Sequence, residues 1–157
     1  MSADAILAAA RQKGWRIVTA ESCTGGMVAV ALTDVAGSSA VFDRSFVTYS
    51  NAAKVEMLGV SPATLAAHGA VSPEVAREMA QGARVRSGAD LAVAVTGIAG
   101  PGGSEFKPEG RVCFAIALKS GETLAETVEF GAPGREAVRR ASRDHALALL
   151  LGALNAG

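Results

Sequence analysis

A serine, a lysine and a glycine-rich loop, far apart along the chain, carry the chemistry this sequence offers. Ser22 lies in Thr19-Ala20-Glu21-Ser22-Cys23-Thr24-Gly25-Gly26, between the apolar pair Ile17-Val18 and a second apolar run, Met27 to Leu32. The pattern predicts strand, tight turn, helix. A hydroxyl at such a junction sits over the unpaired N–H donors of the helix start, where the macrodipole favours developing negative charge. Ser22 is therefore a candidate nucleophile with an oxyanion site in its own backbone. The same residues equally suit plain capping, with Ser22 or Thr24 as the cap and Gly25 and Gly26 closing the turn. Cys23 is a rival nucleophile, since a thiol is intrinsically more reactive near neutral pH. Glu21 is either a support for the turn or an ordinary buried or capping carboxylate.

Lys54 stands out for a different reason. Ser50-Asn51 offers an N-cap, which puts Lys54 in the first turn of a short helix over Ala52 to Leu58, where a cation opposes the helix dipole. Such a locally unfavourable residue is either functional or a lysine whose ammonium snorkels into water. The third element, Thr96-Gly97-Ile98-Ala99-Gly100-Pro101-Gly102-Gly103, lacks the Gly-Lys-Ser/Thr ending of a P-loop and the glycine spacing of a dinucleotide site. Its glycines can still bring N–H groups near an anionic ligand, with Lys107 and Arg111 downstream to supply charge, or form a plain flexible loop.

The elements that must hold these residues follow from periodicity. A first helix over Asp4 to Lys13 ends at Gly14 and leads into a strand from Trp15 to Ala20. Phe42 to Tyr49 is a second strand. Ser61-Pro62 opens a brief helix through Ala67, and Ser72-Pro73-Glu74 a longer one to about Ser87. Leu91 to Val95, continuously apolar, reads as a strand buried on both faces. Arg111 to Lys119 and Thr123 to Phe130 are two further strands joined by a hairpin at Ser120-Gly121. A closing helix from Arg135 to Leu154 turns Arg139, Arg140 and Arg143 to its polar side, where they either grip a phosphate or face solvent. The order predicts an α/β fold, a three-layer α/β/α sandwich around a mixed sheet of about five strands, in one domain. Ligands collect beyond the strand C-termini of such sheets, where both the Ser22 turn and the Gly97 to Gly103 loop emerge.

Composition narrows the partners. Fifteen basic and fifteen acidic residues cancel, and the aromatics number only one Trp, one Tyr and five Phe, so the chain lacks a footprint for nucleic acid. No apolar run reaches the roughly 18 residues needed to span a bilayer, and the N-terminus lacks a signal-like segment. A cytoplasmic protein acting on a small molecule is expected. Cys23 and Cys113 read as reduced thiols, and two histidines, His68 and His145, without paired spacing do not make a zinc site. His68 reads as structural.

The ordered set Ala20-Glu21-Ser22-Cys23-Thr24-Gly25-Gly26, Tyr49-Ser50-Asn51-Ala52-Ala53-Lys54, Leu58-Gly59-Val60, His68-Gly69-Ala70-Val71-Ser72 and Thr96-Gly97-Ile98-Ala99-Gly100-Pro101 resembles the CinA C-terminal domain, the nicotinamide-nucleotide amidase family, over essentially the whole chain. The resemblance implies hydrolysis of the carboxamide of nicotinamide mononucleotide to nicotinate mononucleotide and ammonia, without metal or cofactor, by a homo-oligomer. It implies a serine nucleophile and a lysine base, which fall on Ser22 and Lys54, and it adds Tyr49 and Thr96 as motif residues. Longer relatives carry an N-terminal domain resembling molybdopterin-binding proteins, which this sequence lacks.

The implied chemistry is coherent, since a neutral lysine amine can deprotonate a serine, provided that its pKa of about 10.4 is lowered by desolvation or nearby positive potential. In that scheme N–H groups near Cys23, Thr24 and Gly25 hold the oxyanion, Gly26 joins them as a substrate-binding residue, and Tyr49 relays protons or orients Lys54. Thr96, Gly97 and Gly100 position the substrate and Arg140 is the candidate for its phosphate. Two other classes stay open: a nucleotide-binding or regulatory module without turnover, and an amidase or esterase for a different small substrate.

Overall fold

The computed structural model describes residues 3–104 and 106–156. In chain order the elements are α1 (Ala3–Lys13), β1 (Ile17–Glu21), α2 (Met27–Thr33), a 3-10 turn (Ser38–Ala40), β2 (Phe42–Val47), α3 (Asn51–Leu58), α4 (Pro62–His68), α5 (Pro73–Ser87), β3 (Leu91–Gly97), β4 (Arg111–Leu118), β5 (Thr123–Glu129) and α6 (Arg135–Asn155). The five strands form one mixed sheet in the order β2-β1-β3-β4-β5. The first three are parallel, and β4 and β5 add antiparallel through the hairpin. This is the three-layer architecture that the alternation of helices and buried strands predicts. No helix among the described residues is long and apolar enough to cross a membrane.

Strand alternation sorts the two cores by size. Leu91, Val93 and Val95 of β3, with Val112, Phe114 and Ile116 of β4, face a core shared with α1, α2 and α6. Ala92 and Ala94, with Cys113, Ala115 and Ala117, face α3 and α5. Because that second face is built of small side chains, α5 lies close to the sheet. It also lies close to α3. A Cβ on Gly82 would stand 2.0 Å from the Leu58 carbonyl oxygen, which explains a glycine in mid-helix despite its cost of about 1 kcal/mol relative to alanine. Three helices start on the serines that the sequence marks, with Ser50, Ser61 and Ser72 accepting from the N–H groups of Ala53, Ala63 and Val75.

Two strand limits fall two residues inside the expected ones. The first strand begins at Ile17 because the Trp15 N–H still bonds the Ala10 carbonyl at the end of α1. β2 stops at Val47 because the carbonyls of Thr48 and Tyr49 turn out of the sheet to accept from Lys54. The register then decides where the chemistry falls. Glu21 pairs with Val47 on one side and Val95 on the other. The Ser22 turn, the Thr48-Tyr49 segment and Thr96-Gly97 therefore leave neighbouring parallel strands at one end of the sheet, where α/β folds bind their ligands.

Candidate active site

The turn after β1 is shaped by a carboxylate rather than by a hydroxyl cap. Glu21, fully buried, turns its side chain back over the start of α2 and accepts from the N–H groups of Gly26 (3.1 Å), Val28 (3.0 Å) and Ala29 (3.0 Å) and from the Thr24 hydroxyl (2.7 Å). The hydroxyls of Thr19 and Ser45 close the set at its other oxygen. A negative group over a helix N-terminus is favourable on both hydrogen-bond and dipole grounds. Gly25 and Gly26 take φ of 58° and 107°, the left-handed values that let so tight a turn close. The expectation that Ser22 sits over the free donors of the helix start is therefore corrected: Glu21 occupies them. The Gly25 N–H is spent as well, on the Ser22 carbonyl at 3.0 Å.

Lys54 is buried, with 1% of its surface exposed, so it does not snorkel. Its Nζ lies 3.0 Å from Ser22 Oγ, and it donates to the carbonyls of Thr48 (2.8 Å) and Tyr49 (3.5 Å). The α3 start positions it: Ser50 caps the helix, and the side chain folds back from the fourth helical residue toward the end of β2. Thirty-two residues separate this serine and lysine in sequence, and the pairing of β1 with β2 removes that separation.

Both side chains line a cavity of about 350 Å³. Of the other residues expected at the site, Tyr49, Cys23, Thr96, Gly97 and Gly100 line it too. Thr96, buried, donates its hydroxyl to the Ala70 carbonyl at 3.0 Å. Gly97 is needed because a Cβ there would meet the Val112 side chain at 2.6 Å. Thr24, Gly25 and Gly26 lie outside the cavity lining, the first bonded to Glu21 and the glycines behind the turn. Arg140 also lies outside it, on the exposed side of α6, where its guanidinium pairs with Glu136 at 2.6 Å. Neither Lys107 nor Arg111 charges the cavity. Lys107 donates to the His68 and Val71 carbonyls, and Arg111 pairs with Glu129 across β4 and β5. His68 packs at the surface beside Glu74.

Two arginines of α6 come close to the site instead. Arg135 lines the cavity, donating to the Gly100 carbonyl (2.7 Å) and to the Tyr49 hydroxyl (3.0 Å). Arg139 donates to the carbonyls of Cys23 (3.0 Å) and Thr24 (3.3 Å), fixing the nucleophile turn from outside. Tyr49 thus meets Lys54 through its main-chain carbonyl, while its phenol is engaged by Arg135. Arg135 carried the signal that singled out Lys54, a cation in the first turn of a helix.

The rival nucleophile is disfavoured by its surroundings. Burial pushes the Cys23 thiol up to about 11 from 9.0, so near neutral pH it keeps its proton and is not a thiolate. A stability effect with a definite sign follows. The folded thiol holds its proton where the unfolded chain has lost it, so its contribution is intact below about pH 9 and is lost as the pH rises toward 11, by about 2–3 kcal/mol in all. Denaturant titrations across that window are expected to show a steeper alkaline fall in wild type than in Cys23→Ala, with ammonia release at neutral pH retained in the variant.

Comparisons with known proteins bear on the family. The sequence profile of the CinA C-terminal domain matches residues 1–154. The nicotinamide-nucleotide amidohydrolase PncC of Enterobacter agglomerans is 59% identical over 133 residues, which cover 84% of this chain and 80% of that protein. Its namesake in Escherichia coli K12 is 54% identical over 143 residues, 90% of this chain and 86% of the other. A CinA-like protein of Mycobacterium sp. (strain MCS), 53% identical over 151 residues, is longer, and the match spans 35% of it. The crystal structure of a competence/damage inducible protein from Agrobacterium tumefaciens superposes with a TM-score of 0.93 at 51% identity, over 98% of this chain and 93% of that one. Since profile, close relatives and backbone agree from the first helix to the last, the chain belongs to the CinA C-terminal domain family.

Proposed function

We propose that the protein hydrolyses the carboxamide of nicotinamide mononucleotide to nicotinate mononucleotide and ammonia, with Ser22 as nucleophile and Lys54 as base. The observation that carries the reading is the 3.0 Å contact between the buried Lys54 Nζ and Ser22 Oγ at the wall of a 350 Å³ cavity. The amidohydrolase names of relatives at 54–59% identity support the substrate.

Catalysis by Lys54 calls for the neutral amine. In that form its N–H bonds point to the Thr48 and Tyr49 carbonyls and its lone pair to the Ser22 hydroxyl. As Oγ attacks the carboxamide carbon, its proton passes to Nζ and the carbonyl electrons move onto oxygen, held by the Cys23 amide. Collapse of this intermediate breaks the C–N bond while Nζ returns the proton to the nitrogen, which leaves as ammonia. Water, deprotonated by Lys54, then attacks the ester and releases nicotinate mononucleotide, and Ser22 recovers its proton. Arg135, the cation beside Gly100 on the cavity wall, is assigned to the substrate phosphate in place of Arg140. Neither metal nor cofactor is invoked, and the reading takes the enzyme to be a cytoplasmic homo-oligomer.

Ammonia release from the mononucleotide, from free nicotinamide and from the dinucleotide tests the substrate. The mononucleotide is expected to have by far the largest kcat/KM. Equal or better turnover of another amide would assign a different substrate, and binding of the mononucleotide without ammonia would make the chain a non-catalytic nucleotide module.

A further inference from the structure

The loop between β3 and β4 forms one wall of the cavity, yet its composition argues against order. Gly100, Gly102, Gly103 and Gly110 lie in it, and glycine loses more backbone freedom on ordering than any other residue. Its base is closed by Ile98 N–H to the Arg111 carbonyl and Gly110 N–H to the Ile98 carbonyl. Inside, Gly102 N–H donates to the Glu109 carboxylate (2.7 Å), and Ser104 and Lys107 exchange backbone bonds.

Two cations fasten this loop to the rest of the molecule. On one side Arg135 holds the Gly100 carbonyl. On the other the Lys107 ammonium donates to the carbonyls of His68, the last residue of α4, and of Val71 (2.6 Å), in the connection between α4 and α5. That connection lines the cavity too, since Ala70 and Val71 face it together with Gly100 to Ser104. Thr96 pins it too, at the Ala70 carbonyl between the two that Lys107 holds. Lys107 itself is absent from the cavity lining, so it touches the wall and not the substrate.

We propose that Lys107 is a positioning residue that sets the width of the substrate cleft by strapping the glycine-rich loop to the α4–α5 connection. An ammonium is suited to the task, because one tetrahedral donor satisfies two carbonyls of a bent segment with charge-assisted bonds. Without it the loop keeps its base and its Arg135 contact but loses the side-chain hydrogen bonds described between it and the α4–α5 connection. Substrate binding then has to order the loop, which raises KM, while the Ser22–Lys54 geometry, held by other elements, keeps kcat. The proposal rests on the amidase reading of the cleft for its kinetic arm only.

The test compares wild type, Lys107→Met and Lys107→Arg by amide hydrogen exchange and by steady-state ammonia release from nicotinamide mononucleotide. Lys107→Met is expected to speed exchange in residues 98–110 and 68–71 while β1, β3 and α6 stay protected, to raise KM about tenfold and to leave kcat within about twofold. Lys107→Arg, which keeps charged donors, is expected to recover most of the KM. Unchanged exchange in the loop overturns the proposal, as does a loss confined to kcat. Exchange that rises throughout the molecule in both variants also overturns it, since Lys107 would then be an ordinary stability residue. If wild type releases no ammonia from the mononucleotide, the amidase reading fails, and the exchange arm still decides the strap.

Discussion

Lys54→Met is expected to lower ammonia release from nicotinamide mononucleotide by about 10³-fold or more in kcat while leaving the protein folded. The side chain is buried and touches Ser22 Oγ, so its removal takes away the group that receives the serine proton and returns it to the leaving nitrogen. Methionine has nearly the same length and shape, which keeps the packing around it. Removing the buried amine removes its desolvation cost but leaves the Thr48 and Tyr49 carbonyls without this donor, so the net effect on stability is expected to be small. A large fall in activity with a thermal midpoint that stays level or rises would mark Lys54 as a residue kept for chemistry at the expense of stability. Lys54→Arg sharpens the test. It retains donors for the Thr48 and Tyr49 carbonyls but stays charged near neutral pH, so it cannot serve as a base. It is expected to be as inactive as Lys54→Met. More than a tenth of wild-type kcat in either variant would contradict the assignment.

Glu21→Ala carries the largest expected cost in stability, about 3–5 kcal/mol. The substitution strands the N–H groups of Gly26, Val28 and Ala29 at the start of α2, together with the Thr24 hydroxyl, and buried donors without partners cost about 1–3 kcal/mol each before the turn relaxes or water enters. At about 2–4 °C per kcal/mol for a domain of this size, the melting midpoint is expected to fall by about 6–20 °C. Glu21→Gln separates charge from shape. One oxygen of the amide still accepts, but its NH2 meets a donor at the Ala29 side, so a smaller fall of about 2 kcal/mol is expected. A Glu21→Ala protein that melts with wild type would show that α2 does not need this cap. Because Ser22 follows Glu21 directly, kcat is expected to fall in both variants even at temperatures where they remain folded.

Much of the frame can be read from the residues alone. Serine before proline at Ser61 and Ser72, glycine after Leu58 and Ser87, and the apolar run Leu91 to Val95 fix helices and a central strand by local chemistry. Lys54 is legible as an anomaly, a cation placed against a helix dipole, and the fold gives that anomaly a partner in Ser22. Arg135 carries the same mark, but the polar face of α6 draws notice to Arg139, Arg140 and Arg143 instead. Which of these reaches the cleft depends on how α6 lies across the sheet, and helical periodicity does not contain that.

Glu21 is obscure for a related reason. A cap is sought immediately before a helix, and Glu21 reaches the start of α2 from the end of β1 only because Gly25 and Gly26 fold the turn back. The charges of Lys107 and Arg111 follow the glycine loop in sequence and so suggest ligand contacts. Strand pairing turns Arg111 to Glu129, and the loop's own closure turns Lys107 to the α4–α5 connection. Residues whose roles depend on their immediate neighbours are therefore readable, and those whose roles depend on packing between layers are not.

The central claim is that Ser22, activated by Lys54, attacks the carboxamide of nicotinamide mononucleotide. Rapid acid quench during turnover, followed by mass spectrometry of the peptide spanning Thr19 to Gly26, tests it most directly. An ester of nicotinate mononucleotide on Ser22 is predicted in wild type, with no adduct and no ammonia release from Ser22→Ala. An adduct on Cys23, or undiminished ammonia release from folded Ser22→Ala, would contradict it.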